Sequence, residues 1–320
     1  MILAGDLGGT KSNLGLFDVK DGKLTQVAFK RYASREHGGL EEIAHDFLNG
    51  HAAQVSAASF GIAGPVVNNR VQATNIPWIV DGAKVAQEFH LKHVRLLNDL
   101  EATAYGIEVL DGTQLETLHP GVPVPNANSV VLSAGTGLGE GVMFWDGTRH
   151  LPMSTEAGHT DFAPNTDQQA DLWKFLRKKF EFVSTEKILS GGGFQRVHEF
   201  LDPSVRHPGF DDHSVDPAPG ITQRGLDGSC KVCAATLNLW VEIYGSEAGN
   251  LALRSVARGG IYVAGGIALK MMPKMRDGRF VESVHRKEKL GDFLKQIPIH
   301  VVLNDECPLI GAAYVAWKNI

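Results

Sequence analysis

Apolar residues in this chain switch repeatedly between two spacings, and the switching is the first clue to its architecture. Ile2-Leu3-Ala4 leads into a glycine-rich turn, Gly5-Asp6-Leu7-Gly8-Gly9-Thr10. Then Ser12-Asn13-Leu14-Gly15-Leu16-Phe17-Asp18-Val19 alternates broadly, as a strand does, and stops at the turn signal Lys20-Asp21-Gly22. A third strand is expected over residues 24–32. The spacing then lengthens. Leu40, Ile43, Ala44, Phe47 and Leu48 recur as on one side of a helix, with Gly50 as its stop. Strand, helix and strand follow over residues 59–63, 82–90 and 94–97. Such alternation is the signature of an α/β layer fold.

Residues 111–128 read as a loop rich in turn formers (Gly112, Pro120, Gly121, Pro123, Pro125), and a domain crossing is expected there. The pattern then restarts with Val130-Val131-Leu132-Ser133, a second glycine hairpin and Val142-Met143-Phe144-Trp145. Strand, glycine turn and strand thus occur twice, which suggests a duplication. Residues 203–220 read as a polar, proline-rich surface loop. Beyond them Leu237, Trp240, Val241, Tyr244, Ala248, Leu251 and Ala252 share one face of a long helix. The strand Ile261-Tyr262-Val263-Ala264 and the pair Gly265-Gly266 come next.

Composition narrows the class. With 320 residues the chain can form two domains, and a 43% apolar fraction is that of a folded, water-soluble protein. No run approaches the ~20 apolar residues of a membrane helix. Met1-Ile2-Leu3-Ala4-Gly5-Asp6 lacks the basic flank of a secretory leader. Net charge is −5 with scattered basic residues, which argues against nucleic acid as a partner. Cys230, Cys233 and Cys307 are the only cysteines, an odd count that fits a reducing compartment. A cytoplasmic location is expected.

The glycine turns are the first candidates for chemistry. Gly5-x4-Thr10-Lys11-Ser12 is close to a P-loop, but a P-loop opens a helix and here a strand follows. A glycine-rich hairpin can also cradle phosphates, because backbone N–H groups approach closely where there is no Cβ. Asp6 beside it could hold Mg²⁺, directly or through water. Ala134-Gly135-Thr136-Gly137-Leu138-Gly139-Glu140-Gly141 fails as a dinucleotide fingerprint, since a strand follows it too. Either turn alone could be a hairpin without a ligand. Together with Gly265-Gly266 they suggest a nucleotide gripped on several sides.

Asn98-Asp99 ends the strand at 94–97, where α/β folds place catalytic groups, although Asp99 could equally cap the helix that follows. Glu156-Ala157-Gly158-His159 has metal-binding spacing, but it occurs once and Gly158 interrupts it. A carboxylate and an imidazole there would better serve sugar hydroxyls. Cys230-x-x-Cys233 has no second pair nearby, so both read as packing cysteines.

Together these segments resemble the bacterial glucokinase family of the actin, hexokinase and sugar-kinase superfamily. Residues 5–10 resemble its first phosphate motif, residues 134–139 its second, and Val263-Ala264-Gly265-Gly266 its adenosine motif. Leu97-Asn98-Asp99 matches the catalytic segment. Glu156-Ala157-Gly158-His159 and Ser184-Thr185-Glu186-Lys187-Ile188-Leu189-Ser190-Gly191 match sugar-binding segments.

The resemblance implies an ATP- and Mg²⁺-dependent kinase that phosphorylates glucose. Asp99 would be its base. Asn98, Asp99, Glu156, His159, Glu186 and, more weakly, Asn75 would contact the sugar. Gly5, Asp6, Leu7, Gly8, Gly9, Thr10, Gly135, Thr136, Gly137, Gly265 and Gly266 would hold the nucleotide, with Asp6 also on the metal side. It further implies two α/β domains of the actin-like, ribonuclease H-like ATPase fold around a cleft. The small domain would be residues 1–110 with 305–320 and the large one residues 111–304. A homodimer is the expected assembly. A neighbouring group of kinases and repressors shares Glu-x-Gly-His and carries zinc on a three-cysteine cluster just downstream. No cysteine lies between Glu156 and Cys230, so this chain departs from that group, although Lys11 is more typical of it.

Rival readings are a kinase for another hexose or an amino sugar, and a non-catalytic sugar sensor on the same fold. An actin-like ATPase is a third, but it would leave Glu156, His159 and Glu186 without a task.

Overall fold

The computed structural model describes residues 1–49, 55–211 and 215–318, in two compact units. One comprises Met1–Gln114 and the chain from Asn304 onward; the other is Leu115–Leu303. The expected helix stop at Gly50 lies outside the described residues.

In the first unit β1 (Ile2–Leu7), β2 (Lys11–Lys20) and β3 (Lys23–Ala33) form an antiparallel meander. β4 (Ala57–Ile62) pairs parallel with β1 on its other side. β5 (Arg70–Gln72) and β6 (Ile79–Asp81) make a separate hairpin, and β7 (His93–Asn98) completes the sheet in the order β3-β2-β1-β4-β7. Alternation sends successive side chains of β1 to opposite faces. Leu3 packs with Leu14, Phe60 and the helix Leu40–Asn49, while Ile2 and Ala4 pack with Leu309, Ala312 and Ala313 of the helix Cys307–Lys318. Covered on both sides, β4 is buried along its whole length, as a central parallel strand should be.

The second unit contains β8 (Leu115–His119), β9 (Ser129–Ala134), β10 (Leu138–Trp145), β11 (His150–Thr155), β12 (Gly260–Ala264) and β13 (Ile299–Val302). Their order is β11-β10-β9-β12-β13-β8. Apart from β8, this is the path of the first sheet: an antiparallel meander, then two parallel strands on the far side of its first member. The core is built on the helix Lys231–Ser255, whose Trp240 and Tyr244 are fully buried.

Two expectations need correction. The stretch 111–128 is not all loop, because β8 forms within it and pairs antiparallel with β13. Nor is 203–220 simply a surface loop. Phe210 is buried, and the helix Ala218–Leu226 begins there with a proline in its first turn, where the missing N–H costs nothing. Among the described residues no helix is long and apolar enough to cross a membrane.

Candidate active site

Asp6, Asn98 and Asp99 lie at the C-terminal ends of β1 and β7, in the first unit. The Asn13 side-chain amide donates to Asp6 Oδ2 at 3.3 Å, and Arg31 Nε donates to Asn13 Oδ1 at 2.8 Å. Burial, and then the charge of Asp99, push the Asp6 carboxyl up to about 7 against the weaker pull of Asn13 and Arg31. A buried carboxyl whose proton affinity is raised further by a neighbouring acid marks a place suited to a cation.

The helix Asp99–Ile107 is capped by Asn98, whose Oδ1 accepts from the Leu100 N–H at 2.9 Å. Asn98 Nδ2 also donates to the Gly64 carbonyl at 3.2 Å. The sequence left Asp99 open as the cap; that duty falls to its neighbour. Asp99 Oδ1 does accept from the same Leu100 N–H at 2.9 Å, from the helix's first position.

The first glycine turn is held by side chains that sequence reasoning passed over. The Gly8 N–H donates to the Lys11 carbonyl at 3.0 Å, and Ser34 Oγ donates to the Gly8 carbonyl at 2.7 Å. Ser34 Oγ also lies 2.9 Å from Ser12 Oγ. Asn75 lies against this turn, since a Cβ on Gly9 would come within 2.4 Å of Asn75 Cβ. Leu7 belongs to the core, so only its backbone could serve a ligand.

In the second unit the segments 156–162 and 183–186 are laced together. The Phe162 N–H donates to the Val183 carbonyl and the Thr185 N–H to the Thr160 carbonyl, each at 3.0 Å. This brings His159 Nε2 to 3.9 Å from Glu156 Oε2, and His159 Nδ1 to 3.8 Å from Glu186 Oε1. Glu186 is anchored by the Leu138 N–H, 3.0 Å from its Oε2. A Cβ on Gly137 would come within 2.4 Å of that same oxygen. Gly137, expected at the nucleotide, is thus the glycine that makes room for Glu186.

Gly135, Thr136 and Gly266 border a cavity of about 380 Å³ with Gly191, Gly192, Phe194, Thr222 and Lys270. That volume is in the range of small-molecule sites. Gly265 turns the chain into the short helix Gly266–Lys270 at φ +89°, a conformation that favours glycine. Lys270 could have been suspected from its place just after the glycine pair. Asp216 and Thr222, which also line the cavity, carry no local signal, because the fold brings them there from a distant loop and helix.

A model of the glucokinase family matches residues 3–319. Glucokinase from Nostoc sp. (strain PCC 7120 / SAG 25.82 / UTEX 2576) is 35% identical over 339 aligned residues, covering 99% of each chain. The chain belongs to the glucokinase family. Among solved structures, glucokinase from an Antarctic psychrotroph is 30% identical with a TM-score of 0.88, covering 99% of this chain and 98% of that one. A ROK family glucokinase from Streptomyces griseus, solved with glucose and AMPPNP, is 19% identical with a TM-score of 0.69, covering 99% of each chain. At that identity it bears on fold alone. The architecture is the α/β sugar-kinase fold of the actin-like ATPases.

Proposed function

We propose that the chain is an ATP-dependent glucokinase. It transfers the γ-phosphoryl group of ATP to the 6-hydroxyl of D-glucose, giving glucose 6-phosphate and ADP. The observation that carries this reading is the likeness to glucokinases along the whole chain, at 35% identity.

A sugar hydroxyl is a weak nucleophile whose proton must leave as the oxygen attacks phosphorus. Asp99 orients that hydroxyl and takes the proton in the transition state. Glu156, His159 and Glu186 hydrogen-bond the remaining hydroxyls. Asn98 contributes one free N–H and one lone pair, because the backbone already engages the rest of its amide. Asn75 is assigned to the sugar as well, from its place against the first turn. That turn and the Gly135-Thr136 backbone hold phosphates, and the cavity beside Gly265-Gly266 receives the adenosine.

Mg²⁺ fits the Asp6 carboxylate, whose raised proton affinity a cation would relieve; bound with ATP, it neutralises phosphate charge. The protein works in the cytoplasm as a homodimer, without nucleic acid or membrane as partner.

The test is coupled detection of ADP with glucose, mannose and glucosamine at equal concentration, with and without Mg²⁺. Glucose should give the highest kcat/KM, and omission of Mg²⁺ should abolish turnover. ADP formation indifferent to every sugar would overturn the kinase, and a tenfold preference for another sugar would overturn the substrate. Sedimentation checks the dimer.

A further inference from the structure

We propose that His198, His207, Cys230 and Cys233 form a structural Zn²⁺ site in the second unit. His198 stands in the last turn of the helix Gly191–Leu201, and His207 in the loop after it. Cys230 caps the helix Lys231–Ser255, and Cys233 lies in its first turn. One potential ligand atom from each residue lies within 4.8 Å of the other three. A tetrahedron with zinc–sulfur bonds of ~2.3 Å and zinc–nitrogen bonds of ~2.0–2.1 Å has edges of roughly 3.3–3.8 Å, so closure needs side-chain shifts of about an ångström. The pair Cys233 Sγ and His207 Nε2 is already 3.2 Å apart. The Cys233 N–H donates to Cys230 Sγ at 3.3 Å, a contact that supports a thiolate at the start of a helix.

His198 supplies the independent observation. It is completely buried, and neither ring nitrogen has a hydrogen-bond partner within the protein. An imidazole always carries polar nitrogens, and leaving both bare in a core is costly. Edge-to-face packing with His207 and Phe210, at 5.3 Å and 4.9 Å between ring centres, explains the ring's position but satisfies neither nitrogen. A metal bond to one nitrogen answers that deficit.

The charge balance suits a buried site. In the metal-free chain burial pushes the Cys233 thiol up to about 12. On binding, both thiols release their protons to solvent, and two thiolates with one Zn²⁺ make a neutral unit. The sequence hid this because the histidines are nine positions apart, far from a zinc-finger spacing, and only the fold sets them against the cysteines.

The ligands bracket residues 208–229, which include Ala218 and Thr222 on the wall of the cavity. Resting on the assignment of that cavity to ATP, the ion braces the nucleotide side and leaves the glucose side alone.

The test uses the full chain, purified without a histidine tag from zinc-supplemented culture. Elemental analysis should find one zinc per chain, and replacement by Co²⁺ should give visible tetrahedral bands with thiolate charge transfer. Cys230→Ser and His207→Gln are partly exposed changes chosen to preserve the fold. Each should weaken zinc retention against a chelator at least about tenfold. Stripping the metal should lower the Tm of wild type more than that of either variant, and should raise the ATP KM while leaving the glucose KM unchanged. Folded, active wild type holding less than about a tenth of an equivalent of zinc, with no cobalt–thiolate band, would overturn the site, as would full retention in both variants. An unchanged ATP KM would overturn the bracing role. Failure of the kinase reading would leave the zinc count untouched.

Discussion

The two sheets follow one path, yet the same strand ends carry different groups. Asp6 in β1 pairs with Asn13 and Gly61; the residue in the matching register of β9, Ser133, pairs with Gly139 and Ala264. β7 runs out into Asn98 and Asp99, whereas β13 runs out into Val302 and Leu303. The first unit therefore gathers acids at its strand ends, and the second opens a cavity beside its glycine turn. A repeated strand–turn–strand specifies a shape that can face a ligand. The residues grafted onto it decide the chemistry.

If the acids of the first unit are the chemical half of the site, Asp99→Asn should have the largest effect of any single change. Asparagine keeps the shape but cannot accept a proton, and the helix keeps its cap in Asn98. We expect kcat to fall by about 10²–10⁴, with ATP binding retained and glucose affinity changed less. A folded variant keeping more than about a tenth of the wild-type kcat would remove Asp99 as the base.

Glu156→Gln and Glu186→Gln test the second unit's share. A charged hydrogen bond to a hydroxyl contributes about 1.5–3 kcal/mol, so the glucose KM should rise roughly ten- to hundredfold while the ATP KM holds. Two glycines of one turn then separate the substrates. A Cβ on Gly135 meets nothing within 4 Å and would project beside the cavity, whereas one on Gly137 collides with Glu186. Gly135→Val should raise the ATP KM about tenfold, and Gly137→Ala should raise the glucose KM instead. The same response from both would mean that the turn acts as one unit.

Much of this was legible in the sequence, for physical reasons that can be named. Both glycine turns, their flanking strands and the long helix around Trp240 follow from apolar spacing. The resemblance picks out Glu156, His159 and Glu186 as a set, and the fold brings each of the two carboxylates within about 4 Å of His159. β11 gave no strand signal because it contains Pro152, which is tolerated at the edge of a sheet. β10 begins earlier than its apolar run because Gly139 and Gly141 interrupt the pattern while their backbone still pairs. The meeting of His198 with Cys233, like that of Thr222 with Gly135, depends on helix packing between distant segments, and no local spacing reports it.

The smallest expected effect comes from a difference inside the matching strands. By register, Leu14 of β2 and Glu140 of β10 occupy the same place, and both are fully buried. The leucine belongs there. Glu140 has no hydrogen-bond partner on either carboxyl oxygen. Burial, with Glu247 adding to it and Arg254 opposing, raises its carboxyl to about 8. An unfolded glutamate titrates near ~4.3, so between roughly pH 4 and 8 the folded chain holds the extra proton. Stability from this group must therefore fall as pH rises through that window, and the full penalty is present above about 8. Glu140→Gln is neutral at every pH and removes the dependence. Relative to wild type its Tm should climb from pH 5 and level off above about pH 8. Other titrating groups are common to both proteins and cancel in the difference. A Tm difference that stays flat across that range would show that Glu140 is ionised throughout, with Arg254 outweighing burial and Glu247.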